Sequence, residues 1–352
     1  MVTIQPVTAA ATSHPTPPAG FLLDVIEQVG RAPRHALVAV PLPPGHGHDV
    51  EPAVETLRRW CERTGNELVS SSGNVAQVRC GRRRDPLADL APDLVPGTRL
   101  WMYTNFDCNL ACDYCCVRSS PQTARAALGA DRVRQLANEA VRAGVSELIL
   151  TGGEPFLLHD IADLVGSCTD ALPTTLLTNG MLFKGRRLEA LRQMDRARLT
   201  LQISLDSPTA EMHDAHRGQG SWDRAVAGIA TAKAEGFRVK VAATLPYELT
   251  HVVGPFHAFL ETLGIPLGDR VIRALAHRGV AEQGVELTVE TLIPEVTVTS
   301  TGVYWHPVGA EHADQLVTRD IFPLQDAISQ VRTQFSAYRA DADAAAQWFP
   351  CA

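Results

Sequence analysis

Three observations in this sequence predict an α/β fold built on a partial (β/α)6 barrel, with a small α/β module ahead of it and a β-hairpin-plus-helix extension behind it. From residue 98 to 285, six strand-like apolar runs alternate with five helical stretches, a rhythm that goes with parallel pairing through right-handed crossovers. Six units suit an open barrel, because a closed eight-unit one typically needs about 250 residues. The stretch Asp85-Pro-Leu-Ala-Asp-Leu-Ala-Pro-Asp-Leu-Val-Pro-Gly97 sets off what precedes it, since three prolines and a glycine make it a surface linker. After Gly284 the alternation gives way to short strands around a turn at Ser300-Thr-Gly302.

Taken in order, residues 1–20 are rich in Thr, Ala and Pro, and read as a disordered tail. Residues 21–84 form the module: helix over 21–29, strand over 36–42, amphipathic helix over 51–64 ending at Gly65, then strands over 67–70 and 75–79. In the barrel the strands are 100–105, 147–151, 174–178, 198–206, 238–245 and 270–274. The helices between them are 124–143, 161–171, 187–194, 222–235 and 255–263. The extension, residues 286–352, takes over from short antiparallel strands at 285–288, 295–299 and 303–306 and carries a helix near 324–338.

Composition narrows the function classes. The 352 residues are 45% apolar, enough for an ordinary core, and 32 basic against 39 acidic residues give a net charge of -7. With no basic run beyond Arg82-Arg83-Arg84, nucleic acid is not the expected partner. No span reaches the roughly 18 to 20 apolar residues that cross a bilayer, and the start has neither the basic nor the apolar region of a secretory signal. Eight cysteines in a chain of this length, three of them tightly clustered, look like metal ligands and scattered core thiols. That usage points to a reducing cytoplasm.

The clustered thiols are Cys108, Cys112 and Cys115, a C-x3-C-x2-C array just after the first barrel strand. Three thiolates at this spacing can hold three irons of a [4Fe-4S] cluster and leave the fourth open for a small molecule. Structural zinc would want a fourth protein ligand, and Cys116 is poorly placed because neighbouring side chains diverge. The array lies at the carboxyl end of its strand, which is the active-site face of α/β barrels. The next strand ends on the same face in Gly152-Gly153-Glu154-Pro155, where two glycines allow close backbone approach to a ligand and Glu154 can accept from an ammonium.

These residues resemble the radical S-adenosylmethionine (radical SAM) superfamily. The likeness is carried by Cys108-Asn-Leu-Ala-Cys-Asp-Tyr-Cys115, Thr151-Gly-Gly-Glu-Pro155, Leu177-Thr-Asn-Gly180, Gln202-Ile-Ser-Leu-Asp206 and His213-Asp-Ala-His-Arg-Gly218 with Ser221. It covers residues 98–285. The resemblance implies that one [4Fe-4S] cluster on the three cysteines cleaves S-adenosylmethionine reductively, giving a 5'-deoxyadenosyl radical that removes hydrogen from a substrate. It implies that the methionyl amine and carboxylate chelate the open iron, that Glu154 with the Gly152 and Gly153 backbone receives the amine, and that Tyr114 lies near the adenine. Ser204 and Asp206 would face the ribose and carboxylate region, with Arg217 suited to a carboxylate and Asn179 in the same group. Plainer readings stand beside these: Asp206 and Asp214 as caps, Arg217 as a surface ion pair, Asn179-Gly180 as a common turn.

Of the remaining cysteines, Cys61 and Cys168 fall on helical core positions, Cys80 is isolated, and Cys351 near the end could reach an active site. The segment 294–307 and the following helix look like the extension of SPASM or twitch-type radical SAM enzymes, whose cysteines bind auxiliary clusters. No cysteine lies between Cys168 and Cys351, so a single cluster is expected. The hairpin could instead close the barrel and line a substrate pocket, with Trp305, His306, Arg273, His277 and Arg278 as candidate contacts. Residues 21–84 faintly resemble TusA-type sulfur carriers but have no thiol at the corresponding Ala32-Pro33 step, which favours docking or substrate binding over sulfur transfer. The expected partners are a small polar metabolite, sugar or nucleotide, or alternatively a ribosomal peptide, with flavodoxin or ferredoxin as electron donor. A cluster-bearing scaffold or sensor is the reading of another class.

Overall fold

A computed structural model describes residues 21–32, 35–43, 51–81, 87, 90–246 and 252–348, with backbone alone for 51 and 340–348. The reading of residues 1–20 as a tail, most of the expected linker's first half, Pro33 and Cys351 lie outside the described residues. The chain divides into two compact units, Met1–Asp89 and Leu90–Ala352.

In the first unit, α1 (Phe21–Arg31) and α2 (Glu51–Thr64) accompany the strands β1 (Leu37–Pro41), β2 (Glu67–Ser72) and β3 (Val75–Arg79). Both strand pairs are antiparallel and the order is β1-β3-β2. Phe21, Val25 and Val29 recur every four residues on one face of α1, and they meet Val40, Leu57, Ala76 and Val78 in the core. Cys61 and Cys80 are buried there too.

The second unit follows the βα rhythm closely. Its elements are β4 (Arg99–Tyr103), α3 (Ala130–Arg142), β5 (Glu147–Thr151), α4 (Ile161–Ala171), β6 (Thr174–Thr178), α5 (Arg186–Gln193), β7 (Leu199–Ser204), α6 (Ala210–Arg217), α7 (Ser221–Ala234), β8 (Arg238–Leu245), α8 (Val253–Thr262) and β9 (Arg270–Ala274). After these come β10 (Thr297–Thr299), β11 (Gly302–Tyr304), β12 (Leu316–Thr318) and α9 (Leu324–Trp348). β4 through β9 pair in parallel, each with the next. Strands such as β6, with Thr174, Thr175, Leu176 and Thr178 all buried, are covered on both faces, as parallel sheets require. Among the described residues, no helix is long and apolar enough to cross a membrane.

Three features differ from expectation, and a fourth lies beyond it. The third helix begins at Ala130, six residues later than read, because Gly129 at φ +88° breaks helical geometry just before it. An eight-residue helix, α6, was not anticipated, because its only buried side chain is His213 and it carries little apolar periodicity. Residues 285–288 make no strand, only a single bridge between Val285 and Ala276. The C-terminal strands extend the same sheet: β10 pairs in parallel with the outer edge of β4, through Thr297–Trp101 and Val298–Met102, so the sheet reads β12-β11-β10-β4-β5-β6-β7-β8-β9. The long helix α9 packs over α3 and β12, with the Trp305 ring 5.6 Å from that of Tyr338.

The side of the barrel between β9 and β4 is bridged by a loop. Val280 N donates to Cys115 O at 2.8 Å, and Gly279 sits at φ +67°, where an added Cβ would lie 2.1 Å from that same carbonyl. The chain leaving β9 is thereby tied to the cysteine loop leaving β4.

Candidate functional site

The cysteine loop is held from several sides before any ligand is considered. Asn105, fully buried, donates from Nδ2 to Asp107 O at 2.9 Å and Glu154 O at 3.1 Å. Gly153 N and Glu154 N donate to Asn105 O and Asp107 O. A Cβ on Gly153 would stand 2.2 Å from Asp107 O, so only glycine lets the loop after β5 approach the cysteine loop this closely. Asn179, after β6, donates from Nδ2 to Asn109 Oδ1 at 2.8 Å, and Asp113 N donates to His216 O at the end of α6.

Cys108, Cys112 and Cys115 face one cavity at the carboxyl ends of the strands. Cys108 Sγ accepts from Leu110 N at 3.4 Å and Cys115 Sγ from Ser119 N at 3.3 Å. Burial pushes the Cys108 thiol up to about 12 and the Cys112 thiol up to about 11, in the latter against the pull of Arg217. Among the described residues, no three His, Cys, Asp or Glu side chains are grouped so as to hold one metal ion. Three thiols on a shared wall are the donor set that a [4Fe-4S] cluster takes when its ligands go to different irons and one iron stays open. Cys116 also lies on the wall and packs against the apolar cluster of Tyr103, Phe106 and Ala310.

Of the other residues singled out from sequence, Tyr114, Gly152, Gly153, Asn179, Ser204 and Arg217 line the same cavity, whereas Glu154 and Asp206 do not. Glu154 is fully buried. Its Oε1 accepts from Phe156 N at 3.0 Å and Thr178 Oγ1 at 2.8 Å, and its Oε2 from Asn179 N at 2.8 Å. The carboxylate expected to receive an ammonium is thus engaged with protein donors, and Gly152 and Gly153 are what this loop presents to the cavity. Burial pushes the carboxyl up, and the three hydrogen bonds only partly offset this.

Asp206 is likewise turned inward. Arg217 closes a fork on it, with Nη2 3.2 Å from Oδ1 and Nε on Oδ2; the Tyr114 hydroxyl also donates to Oδ2, and Thr244 N to Oδ1 at 3.0 Å. Burial raises this carboxyl, but Arg217, Tyr114 and Thr244 together outweigh it and hold it below the usual range. Arg217 therefore has its carboxylate within the protein, and its guanidinium lies 5.5 Å from the centre of the Tyr114 ring. Asp214 does serve as a cap, accepting from Gly220 N, Ser221 Oγ and Trp222 N. Asn109, Thr178, Thr244 and His213 were missed; His213 Nδ1 accepts from Asp206 N at 3.2 Å.

The five candidates near the C-terminal strands separate cleanly. Trp305 is 1% exposed and belongs to the core. His277 pairs with Glu286, Arg278 pairs with Asp314, and His306 accepts from Val308 N beside a different pocket near Arg99 and Glu295. Only Arg273 lines the cavity that holds the three thiols.

Known proteins resemble this part of the chain. The radical SAM superfamily model matches residues 102–263. AdoMet-dependent heme synthase of Methanosarcina barkeri is 34% identical over 140 residues, 39% of this chain and 40% of that protein. Mycofactocin maturase MftC of Mycobacterium tuberculosis is 34% identical over 150 residues, 41% of this chain and 37% of that protein. The match thus spans about two fifths of the length of each of these relatives. The solved structure of native anSMEcpe with bound AdoMet shares the fold, with a TM-score of 0.53 at 11% identity over 67% of this chain and 82% of that one. Residues 102–263 are a radical SAM domain, the fold of a superfamily of enzymes that pair a [4Fe-4S] cluster with S-adenosylmethionine.

Proposed function

We propose that this chain is a radical SAM enzyme in which Cys108, Cys112 and Cys115 hold its one [4Fe-4S] cluster, and that it acts on a small polar metabolite, sugar or nucleotide in a biosynthetic pathway. The observation that carries the reading is the convergence of the three thiols, the Gly152-Gly153 pair and Asn179 on one cavity. Held by the three thiolates, the cluster would supply the one-electron cleavage of bound S-adenosylmethionine to methionine and a 5'-deoxyadenosyl radical, which would take a hydrogen atom from the substrate. The protein's part is to position the reactants and exclude water.

In this reading the backbone of Gly152 and Gly153 receives the methionyl amine, and Glu154 acts one layer behind, fixing the loop and the Asn179 amide to each other. Ser204, at the end of β7, faces the ribose, and the Tyr114 ring, pinned by Asp206 and Arg217, forms the wall beside the adenine. A single cluster is supported by the absence of cysteine between Cys168 and Cys351. The electron comes from a flavodoxin- or ferredoxin-type donor.

A second reading, ribosomal-peptide maturation, is favoured by the names of two relatives, mycofactocin maturase MftC and the subtilosin biosynthesis protein AlbA of Bacillus subtilis. A small-molecule turnover assay set against capture of a co-encoded peptide separates the two.

Anaerobic reconstitution tests the core of the proposal. The wild type is expected to take up about four irons and to release 5'-deoxyadenosine when reduced with dithionite in the presence of S-adenosylmethionine. Cys112→Ala should lose both. Iron content and turnover that survive in that variant would remove the cluster assignment; iron uptake with no 5'-deoxyadenosine across a substrate screen would leave a scaffold or sensor.

A further inference from the structure

The wall of the cavity carries two charged side chains, Arg217 and Arg273, and no carboxylate. Their situations differ. The charge of Arg217 is matched by Asp206 through the two-pronged contact described above. Arg273, next to last in β9, donates from Nε to Thr244 Oγ1 at 3.3 Å. Among the described residues its two Nη groups have no hydrogen-bond partner and the side chain has no ion pair. One contact at Nε orients the guanidinium and leaves its outer edge open.

Its place is at the mouth between β9 and β4. The positive charge is felt at Tyr103 and Cys116 on the β4 side and at His306 beyond them. Around it the wall is apolar and aromatic, with Trp101, Tyr103, Leu275 and Val308. A guanidinium with a free donor edge recognises carboxylate or phosphate by two parallel hydrogen bonds, and the exposure of Arg273 leaves that edge within reach of an incoming ligand.

We propose that Arg273 is the anion-binding residue of the substrate pocket: it takes a carboxylate or phosphate of the substrate, whose hydrocarbon or ring portion lies against Trp101, Tyr103 and Leu275. This rests on the function proposed above in one respect, that the carboxylate of S-adenosylmethionine is assigned to the open iron and so does not occupy Arg273.

Saturation-transfer NMR on the full-length reconstituted protein with S-adenosylmethionine tests this with benzoate, phenyl phosphate and benzamide as probes. At least one anionic probe should bind where neutral benzamide does not, and the tighter of the two anions tells carboxylate from phosphate. Arg273→Gln should weaken that anion about tenfold or more, the scale of a charge-assisted hydrogen bond, and Arg273→Lys should restore part of it. S-adenosylmethionine affinity by equilibrium dialysis should stay within about twofold, which also certifies the fold of the variant. Benzamide binding as well as the anions, or Arg273→Gln retaining the anion, overturns the proposal. So does a parallel tenfold loss of S-adenosylmethionine affinity, which would give Arg273 to the cosubstrate. A wild type that binds the anions through Arg273 yet never forms 5'-deoxyadenosine sinks the enzymatic reading and leaves the anion site standing.

Discussion

The loops after β5 and β7 each bury a carboxylate behind the cavity wall, and they stabilise it by opposite means. Glu154 is surrounded by neutral donors, two backbone amides and a threonine hydroxyl, and its carboxyl is pushed up. Asp206 faces a guanidinium, a phenol and an amide, and its carboxyl is held down. The first arrangement is a clasp between neighbouring loops. The second is a charged hub joining β7, β8, α6 and the cysteine loop, the last through Tyr114. The hub also consumes the charge of Arg217, which is why Arg273 is left as the open cation on the wall.

The difference is sharpest when one charge is removed. Arg217 is 11% exposed in its side chain, so Asp206→Asn would strand a buried guanidinium, at a cost of about 3–5 kcal/mol. Urea unfolding of the full chain should show this loss in the transition reported by the barrel. Adding Arg217→Met removes the stranded charge and should recover a large part of the loss, as replacing both partners of a buried pair does elsewhere. If Asp206→Asn costs no more than Glu154→Gln, the hub is not held by charge.

Both corners were legible in part. Strands β5, β6 and β8 and helix α4 fall on the boundaries expected from sequence, because largely buried parallel strands are short runs cut off by turn residues; β9, an edge strand with no buried residue, does so as well. The cysteine array and the glycine pair were legible as spacing. The direction of a side chain was not. Glu154 follows two glycines that face the cavity, but its partners Thr178 and Asn179 lie at the end of another strand, and only the β5–β6 pairing brings them within reach. Asp206 and Arg217 each read as a ligand contact; α6, lacking apolar periodicity, is the turn of chain that brings one back onto the other.

The hub should also be the acid-sensitive corner, through His213. Burial pushes this imidazole down to about 4, against the pull of Asp206, and its Nδ1 cannot take a proton without giving up the bond from Asp206 N. With the folded value below the unfolded one near 6.5, the unfolded chain binds more protons between those limits. Stability therefore rises with pH across that window and falls on acidification. The contribution lost between pH 7 and pH 4 is about 3 kcal/mol. In His213→Asn, whose amide oxygen can take over the acceptor role, unfolding free energies measured at both pH values should differ by that much less. An unchanged slope would mean that His213 titrates freely.

The clasp should respond with the opposite sign. A carboxyl whose folded value is raised above 4.5 contributes most below that value, and its contribution is lost as pH rises through the folded one. Glu154→Gln keeps one acceptor oxygen for Phe156 N and Thr178 but turns an amide nitrogen toward Asn179 N, leaving that donor unmet. Against this, the variant no longer buries an ionisable group. The net cost at neutral pH should be about 1 kcal/mol, and it should grow as the pH is lowered, because the raised carboxyl takes up its proton more readily in the folded chain than in the unfolded one. Paired urea melts at pH 5 and pH 8 read this directly. A cost that instead grew toward pH 8 would mean that the charge of Arg187 outweighs burial at Glu154, and would erase the distinction between the two corners.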